Sequence, residues 1–300
     1  MSLLLGFDIG GTNVKYMVCD SNLNKIDKGF FPTNSKKGIN NLINNVYLII
    51  EKIQNKYNEK IDSIGIGCTG PIDIETGIIE NPYTLPGFEN QSIKKLLKQK
   101  IEIPVYIDND ANTAHLGEIY FSKSKINNSV MLTFGTGVGC SVRINNSFLR
   151  TNGLKHSEIG HMFVSKPNTL QQCYCGKVCC AENTLSGTSL NRDSLNLFNL
   201  KPEEVFENPN SKEKQIFIQN IKDSLFEFVF QLSIIFEPEE VIIGGGLQDF
   251  YGKYLIYDLQ KRLNKFRNVF GKTKIIMTQL KNDSGAFGAI CTILENKKGK

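Results

Sequence analysis

Two glycine-rich turns, each set between a pair of strand-like segments, constrain the fold of this chain more than any other feature. The first turn, at residues 10–13, joins the apolar run Leu3–Ile9 to a second run, Lys15–Asp20. The other, at residues 135–137, lies about half a chain later between two further apolar segments. Paired glycines between apolar runs favour tight β-hairpins. The recurrence of this pattern predicts two related lobes.

Strand-like and helical segments alternate along the rest of the chain, which is typical of an α/β protein. Apolar residues at helical spacing predict helices at Ile39–Tyr57, Lys212–Phe236 and Tyr251–Phe266. Continuous apolar runs predict strands at Ile61–Gly67 and Glu240–Ile243.

The two turns also suggest where the chain divides. We expect a small N-terminal α/β lobe over residues 1–115 and a larger α/β lobe over residues 116–284. A terminal helix over residues 285–300 is expected to pack back on the first lobe. The irregular stretch 145–182 is too long for an ordinary loop, so we expect it to be functional or held by a metal, with the zinc loop at residues 157–182.

Composition excludes several classes of protein. Of the 300 residues 40% are apolar, as in globular domains, and the net charge is +5 with lysines spread along the chain. No basic face for nucleic acid is therefore expected. The longest apolar stretch, Ile216–Phe236, contains charged residues, and no signal-peptide pattern precedes the first strand. We expect a cytoplasmic protein with no membrane partner.

Half of the eight cysteines crowd into one segment, residues 173–180. Disulfides are rare in the reducing cytosol, which favours a metal site over a disulfide framework. Thiolates and imidazole suit tetrahedral structural Zn²⁺. The predicted ligands are His161, Cys173, Cys175 and Cys180. Cys179 is a rival ligand, and four bystander thiols are the alternative interpretation.

Three glycine-rich turns could hold phosphates, because no Cβ blocks the approach of their backbone amides. They are residues 10–12, residues 135–139 and the triplet 244–246 at a predicted strand end. Asp8, just before the first turn, could hold the Mg²⁺ that accompanies a nucleotide. Ordinary hairpin turns are the alternative. The pattern of a P-loop is absent from these turns.

Polar residues cluster at 108–112, between a predicted strand and a predicted helix. One such residue would suffice to cap the helix. Four polar side chains in five positions, at the strand end where open α/β sheets bind ligands, favour a site.

Taken in chain order, these motifs resemble the ROK family (repressors, uncharacterised reading frames and sugar kinases). The resemblance spans nearly the whole chain. The segments that carry it are Asp8–Thr12, Gly67–Asp73, Asn109–Asn112 with Gly117-Glu118, Gly135–Gly139, Glu158–His161 and the Cys-x-Cys-Gly-x-x-x-Cys-x-Glu loop at Cys173–Glu182.

The resemblance implies a two-lobed actin-like ATPase (ribonuclease H-like) fold with an interlobe cleft, and a homodimer. It also implies transfer of the γ-phosphate of ATP to a sugar hydroxyl, usually O6 of a hexose or N-acetylhexosamine. Asp110 would be the catalytic base and would also contact the sugar. The remaining sugar-binding residues would be Gly70, Asn109, Glu158, His161 and Glu182. Phosphates would bind at Gly10, Gly11, Thr12, Gly135, Thr136 and Gly137, and adenosine at Gly244, Gly245 and Gly246.

Six residues depart from the family pattern. Cys179 and Ser157 stand where glycine is usual, and Cys140 and Ser141 replace further glycines. Thr84 stands where asparagine is usual, and Phe88 replaces a tryptophan. These departures bear on which sugar is bound.

The leading functional hypothesis is a sugar kinase with glucose as the default substrate and N-acetylmannosamine or N-acetylglucosamine as alternatives. A repressor of the same family is the competing hypothesis. We expect no DNA-binding segment, because the first motif begins at Asp8. A sugar sensor without turnover, or a nucleotide hydrolase, is the third.

Overall fold

The computed structural model describes residues 2–80, 82–151, 156–164, 167–266 and 272–298. The chain divides into two compact units. Unit 1 comprises Met1–Ser124, Arg150–Ser157 and Asn282–Lys300, and unit 2 comprises Lys125–Leu149 and Glu158–Lys281.

Twelve strands are found in the described residues, seven of them in unit 1. They are β1 (Leu3–Ile9), β2 (Asn13–Asp20), β3 (Lys25–Pro32), β4 (Ile61–Cys68), β5 (Ile78–Ile79), β6 (Gln91–Ser92), β7 (Val105–Asn109), β8 (Ser129–Phe134), β9 (Val138–Ile144), β10 (Ser147–Phe148), β11 (Glu240–Gly244) and β12 (Lys274–Met277).

Ten α-helices are found in the same residues. They are α1 (Ile39–Tyr57), α2 (Ile93–Lys98), α3 (Asp110–Ser122), α4 (Ala181–Leu185), α5 (Gly187–Phe198), α6 (Pro202–Glu207), α7 (Lys212–Phe236), α8 (Gln248–Tyr254), α9 (Ile256–Leu263) and α10 (Ser284–Lys298).

The main sheets of the two units share one topology. In unit 1 the strand order is β3-β2-β1-β4-β7, and in unit 2 it is β10-β9-β8-β11-β12. In each sheet the first three strands of the unit form an antiparallel meander. Two later strands extend the sheet beyond the first strand of the meander and run parallel to that strand. The repeat predicted from the two glycine turns is thus visible as a repeated sheet.

Each sheet is covered by helices that bury apolar faces against it. In unit 1 the helix α1 places Ile43 and Val46 in one cluster with Leu5 and Phe7 of β1. In unit 2 the α7 helix packs its apolar face in the cluster that includes Phe134. The ring of Phe134 stacks on Tyr251, with centroids 4.0 Å apart.

Helix α10 lies unusually close to β1, β4 and α3 in unit 1. A Cβ at Gly65 of β4 would overlap the carbonyl oxygen of Ala289, and one at Gly288 would overlap that of Thr113. Glycines therefore permit the close approach. The contact fixes α3, whose first residue is Asp110, against the sheet.

The predicted boundary after residue 115 falls inside α3, which continues to Ser122. Unit 1 accordingly extends to Ser124, because the whole helix packs with α10, and it also takes in Arg150–Ser157.

The predicted bounds of α1 and α7 are confirmed. The predicted helix Tyr251–Phe266 is instead two helices and a 3₁₀ turn, because buried Leu255 adopts φ −124° and ends α8. Strand β3, an edge strand without an apolar run, was not predicted.

In the residues that the structure describes, none of the helices has the length and apolar character needed to cross a bilayer.

Candidate functional site

Carboxylates collect at the carboxyl ends of the parallel strands in unit 1. Asp8 near the end of β1 pairs in register with Gly67 of β4, which pairs with Asp108 of β7. Ligands commonly bind at such strand ends in α/β sheets. Burial raises the pKa of the nearby Cys68 thiol, and the charges of Asp110 and Asp8 raise it further. The two carboxylates and the thiol thus share one electrostatic environment.

Asp110 opens α3, and its carboxylate is held by three donors. Its Oδ1 accepts hydrogen bonds from Asn109 Nδ2 at 2.9 Å and from the Ala111 backbone N–H at 2.8 Å. The Thr69 side chain forms a third hydrogen bond to it. Burial raises the pKa of Asp110, and the His156 imidazole and these hydrogen bonds oppose that rise. The result is a fixed, buried carboxylate suited to accepting a proton.

Asn109 is buried and serves as the N-cap of α3. Its side-chain oxygen accepts from the backbone N–H groups of Ala111 at 3.0 Å and Asn112 at 3.3 Å. The same side chain donates to Asp110. The sequence left two alternatives for these polar residues, a helix cap and a binding site. Asn109 serves both purposes, because it caps α3 and also holds the Asp110 carboxylate.

Asp8 has a pKa raised to about 6, first by burial and then by the charge of Asp110, while Lys15 opposes the rise. Gly285 at the start of α10 faces it, and a Cβ there would lie 2.5 Å from Asp8 Cγ. A buried carboxylate beside another negative charge is a fitting ligand for a hard divalent cation, whose binding would offset the repulsion.

The turn at residues 10–12 is closed by local hydrogen bonds and by a neighbouring segment. Gly10 N–H donates to the Asn13 carbonyl oxygen at 3.1 Å, and the Thr33 hydroxyl donates to the Gly10 carbonyl oxygen at 2.6 Å. A Cβ at Gly11 would lie 2.8 Å from Thr84 Cγ2. Thr84, one of the departures from the family pattern, therefore borders this turn.

Two residues near Asp110 were not assigned to the site from the sequence. Arg150 forms a bidentate ion pair with Asp108, and His156 lies so close to Gly70 that a Cβ at Gly70 would overlap its ring. Both belong to the segment Arg150–Ser157. The sequence offered one signal for Arg150, because arginine is rare in this lysine-rich chain. His156 stands only two residues before Glu158, one of the predicted sugar-binding residues.

In unit 2, the turn at residues 135–137 is backed by the first turn of α5. Gly135 N–H donates to the Gly137 carbonyl oxygen at 3.0 Å, and Gly187 N–H donates to the Gly135 carbonyl oxygen at 2.7 Å. The Thr188 hydroxyl donates to the Thr136 carbonyl oxygen at 2.8 Å. The amino-terminal end of α5, where helices favour anions, thus lies beside the turn.

Glu182 in α4 joins this turn to the cysteine loop. Its Oε2 accepts a hydrogen bond from the Val138 backbone N–H at 3.1 Å. A Cβ at Gly137 would come within 2.7 Å of the same oxygen, so glycine leaves room for the carboxylate. The residue before α4 is Cys180, which makes the position of Glu182 depend on the cysteine loop.

The triplet 244–246 ends β11 and turns the chain into α8. Gly245 adopts φ +90°, and a Cβ there would overlap the backbone of Phe134. Open space surrounds a Cβ placed at Gly246. The turn alone therefore requires glycine at position 245. At Gly246 the open space would let a ligand approach the backbone.

Four side chains of unit 2 converge as a set of metal ligands. The ligand atoms of His161, Cys173, Cys175 and Cys180 all lie within 4.8 Å of one another. The Sγ atoms of Cys175 and Cys180 are 3.8 Å apart, which equals the roughly 3.8 Å edge of a tetrahedron with Zn–S bonds of about 2.3 Å. The donor set fits Zn²⁺, while Cys179 lies outside this group.

His161 uses both ring nitrogens within unit 2. Its Nδ1 lies 3.8 Å from Cys173 Sγ, and its Nε2 lies 2.7 Å from the Tyr174 hydroxyl. Burial raises the pKa of Tyr174, and the carboxylates of Glu182 and Glu158 raise it further. The predicted residues His161, Glu158 and Glu182 are therefore brought together around one tyrosine.

Comparison with known proteins gives consistent matches. A model of the ROK family matches residues 4–296. A glucokinase of Halalkalibacterium halodurans is 27% identical over 311 residues, which cover 95% of this chain and 92% of that protein. A xylose repressor of Caldicellulosiruptor bescii is 28% identical over 253 residues, which cover 78% of this chain and 62% of the repressor.

Among solved structures, a ROK hexokinase from Thermus thermophilus matches with a TM-score of 0.83 and 25% identity, covering 99% of this chain and 100% of that one. The match confirms the actin-like ATPase fold that the sequence motifs implied.

Proposed function

We propose, since the chain belongs to the ROK family, that it is a kinase that transfers the γ-phosphate of ATP to a hydroxyl of a sugar. The observation that carries the proposal is the buried Asp110 carboxylate, which three donors orient at the end of β7. We take the 6-hydroxyl of a hexose as the first acceptor and glucose as the first sugar.

An alcohol is a poor nucleophile, so its proton must be accepted as the phosphoryl group transfers. Asp110 is proposed to accept that proton. Asn109 and Ala111 donate to its Oδ1, and the Thr69 side chain also hydrogen-bonds to the carboxylate, so the orientation of the proposed base is fixed before the sugar binds. The His156 charge partly offsets the rise that burial causes in the Asp110 pKa, and thereby favours the ionised base.

The glycine-rich turns are proposed to bind the nucleotide. In unit 1 the turn at residues 10–12 would donate backbone N–H groups to phosphate oxygens, and Asp8 would hold Mg²⁺. Bound Mg²⁺ would neutralise phosphate charge during transfer. In unit 2 the turn at residues 135–137 would contact phosphate, and the approachable backbone near Gly246 would contact adenosine.

Sugar recognition is proposed to rest mainly on unit 2. Glu158, His161 and Glu182 lie together and offer acceptors and a donor to hydroxyl groups. In unit 1, Gly70 and Asn109 are the proposed contributors. Polar groups that are desolvated around a substrate hydroxyl discriminate strongly, because an analogue without that hydroxyl leaves them unpaired.

The cysteine cluster is proposed to bind one structural Zn²⁺. With four protein ligands, no position remains for an activated water, so the ion would supply folding energy to the loop rather than catalysis. Its role would be to fix Cys180 and so the position of Glu182 in the adjoining helix.

The deciding experiment measures ADP release with ATP, Mg²⁺ and a panel of hexoses and N-acetylhexosamines. The proposal predicts turnover with at least one sugar, above the rate with ATP alone. The relative rates would separate glucose from N-acetylmannosamine and N-acetylglucosamine. ADP release that no sugar increases would sink the kinase proposal and favour a sensor or a nucleotide hydrolase.

A further inference from the structure

Tyr174 lies inside the cysteine loop, and its hydroxyl is surrounded by groups that bind hydroxyls. It stands 2.7 Å from His161 Nε2, with the two rings edge to face at 82°. It also hydrogen-bonds to the Glu182 side chain and lies in the field of Glu158. One phenol hydroxyl is thus hydrogen-bonded to an imidazole and a carboxylate, with a second carboxylate acting on it through its charge.

The hydrogen bonds of this hydroxyl have a defined direction. His161 turns Nδ1 towards Cys173 at 3.8 Å, so a metal in the cluster would take the Nδ1 lone pair and leave the proton on Nε2. Nε2 then donates to the phenol oxygen. The phenol proton is donated to Glu182, because a carboxylate only accepts. A hydroxyl of a sugar has the same capacity, with one proton to donate and lone pairs to accept.

The tyrosine is placed where it can leave without opening a core. Its side chain is 55% exposed, and it lies in a turn closed by Gly176 N–H donating to the Cys173 carbonyl oxygen at 2.9 Å. Tyr251 shows the contrasting case, because it is fully buried and its hydroxyl donates to the Leu185 carbonyl oxygen. Moving Tyr174 would cost at least its hydrogen bonds to His161 and Glu182 and the edge-to-face contact with the imidazole.

We infer that the Tyr174 hydroxyl occupies a sugar-hydroxyl subsite of unit 2 and that a bound sugar displaces it. The inference rests on the proposed function and deepens it by naming a residue that sets affinity. Tyr174 competes with the substrate, so a sugar binds well only when one of its hydroxyls can replace both hydrogen bonds. A sugar that lacks a hydroxyl at that position could not replace the hydrogen bonds to His161 and Glu182. Such a sugar would therefore not displace the tyrosine.

The test is the affinity of Tyr174→Phe for D-glucose, with N-acetyl-D-glucosamine as the second probe, by isothermal titration calorimetry. Phenylalanine keeps the ring against His161 and removes only the hydroxyl. Because a hydrogen bond contributes about 1 kcal/mol net, we expect the dissociation constant to fall by about 3- to 10-fold. Tyr257→Phe is the matched control, since Tyr257 is 82% exposed, and it should leave affinity unchanged.

If Tyr174 had only a structural role, replacing it would damage the fold and weaken sugar binding. A gain in sugar affinity therefore distinguishes the proposed competition from a structural role. Tyr174→Leu removes the hydroxyl with a different side chain and should show a gain in the same direction. Affinity that is unchanged or weaker in Tyr174→Phe, in a wild-type protein that binds and phosphorylates sugar, would overturn this inference alone. If neither the wild type nor the variant binds a sugar, the proposed function and this inference fall together.

Discussion

Arg150 holds Asp108 by two parallel hydrogen bonds, from Nη1 to Oδ1 at 2.7 Å and from Nη2 to Oδ2 at 2.5 Å. Only 9% of the Asp108 side chain is exposed. Asp108 also accepts from the Asn112 side chain at 3.1 Å. The pair therefore ties Arg150 to the strand end that leads into Asp110.

Arg150→Gln is expected to destabilise the protein by about 3 kcal/mol, because it leaves a buried carboxylate without its charge partner. Adding Asp108→Asn should recover part of that loss, since the uncompensated charge is then gone. Urea unfolding of the wild type, both single variants and the double variant measures the coupling. Lys297→Gln is the control in the same unit: its partner Asp62 is 46% exposed, and its loss should cost less than about 1 kcal/mol. Equal costs for the two variants would contradict this interpretation.

Asp110→Asn is expected to lower kcat by about 10²- to 10⁴-fold, because an amide does not accept the proton of the attacking hydroxyl. Sugar affinity should be retained, since the asparagine oxygen can still accept from Ala111 and Thr69. Calorimetry and ADP release on the same preparation separate the two effects. The exposed Asp249 gives the control, and Asp249→Asn should keep wild-type turnover. Wild-type turnover in Asp110→Asn would rule out its role as the base.

Asp8 provides a prediction for the dependence of stability on pH. Its pKa is raised from the ordinary 3.8 to about 6 in the folded chain, so above pH 6 the folded state holds an ionised carboxylate that burial disfavours. This group's contribution to stability therefore falls as pH rises from about 4 to 6. Asp8→Asn should be more stable than the wild type by about 3 kcal/mol at pH 8, and the difference should shrink to less than about 1 kcal/mol near pH 4. Unfolding in metal-free buffer at both pH values is the measurement. A difference that does not change with pH would contradict the shift.

Local patterns in the sequence were sufficient to predict the cysteine cluster and the start of α3. Cys173, Cys175 and Cys180 lie within eight residues, so one loop brings them together whatever the rest of the fold does. Asn109 and Asp110 stand where a strand passes into a helix, which fixes their place at a sheet edge.

Contacts between distant segments could not be predicted in the same way. Arg150 reaches Asp108 across 42 positions, and His156 reaches Gly70 from another part of the chain. The tyrosine in the cysteine loop was visible, but its contact with Glu182 depends on how the loop returns over α4. Side-chain direction in an irregular loop is set by tertiary packing and not by periodicity.

Substitutions at two neighbouring cysteines test the metal site. Cys180→Ser should lower zinc from about one ion per chain to nearly none, because it removes one of four ligands. Cys179→Ser should leave zinc unchanged, since Cys179 lies outside the ligand group. Elemental analysis of both variants measures this. Sugar affinity should fall in Cys180→Ser at temperatures below its unfolding transition, because Glu182 lies in the helix that Cys180 directly precedes. Zinc loss from Cys179→Ser instead would reassign the fourth ligand.

Gly288 tests whether the base depends on the close approach of α10 to α3. An alanine in an exposed helix position usually stabilises by up to about 1 kcal/mol relative to glycine. At Gly288 the added Cβ would overlap the Thr113 carbonyl oxygen, so α10 must move away from α3, at a cost of about 1 to 3 kcal/mol. Gly252→Ala in α8 is the matched control, because its Cβ would meet only Met277 Cε at 3.6 Å. A lower melting temperature in Gly288→Ala alone, together with a lower kcat, is the expected result. Since α3 begins at Asp110, a fall in stability without any change in kcat would show that the orientation of the base is set by its own hydrogen bonds and not by α10.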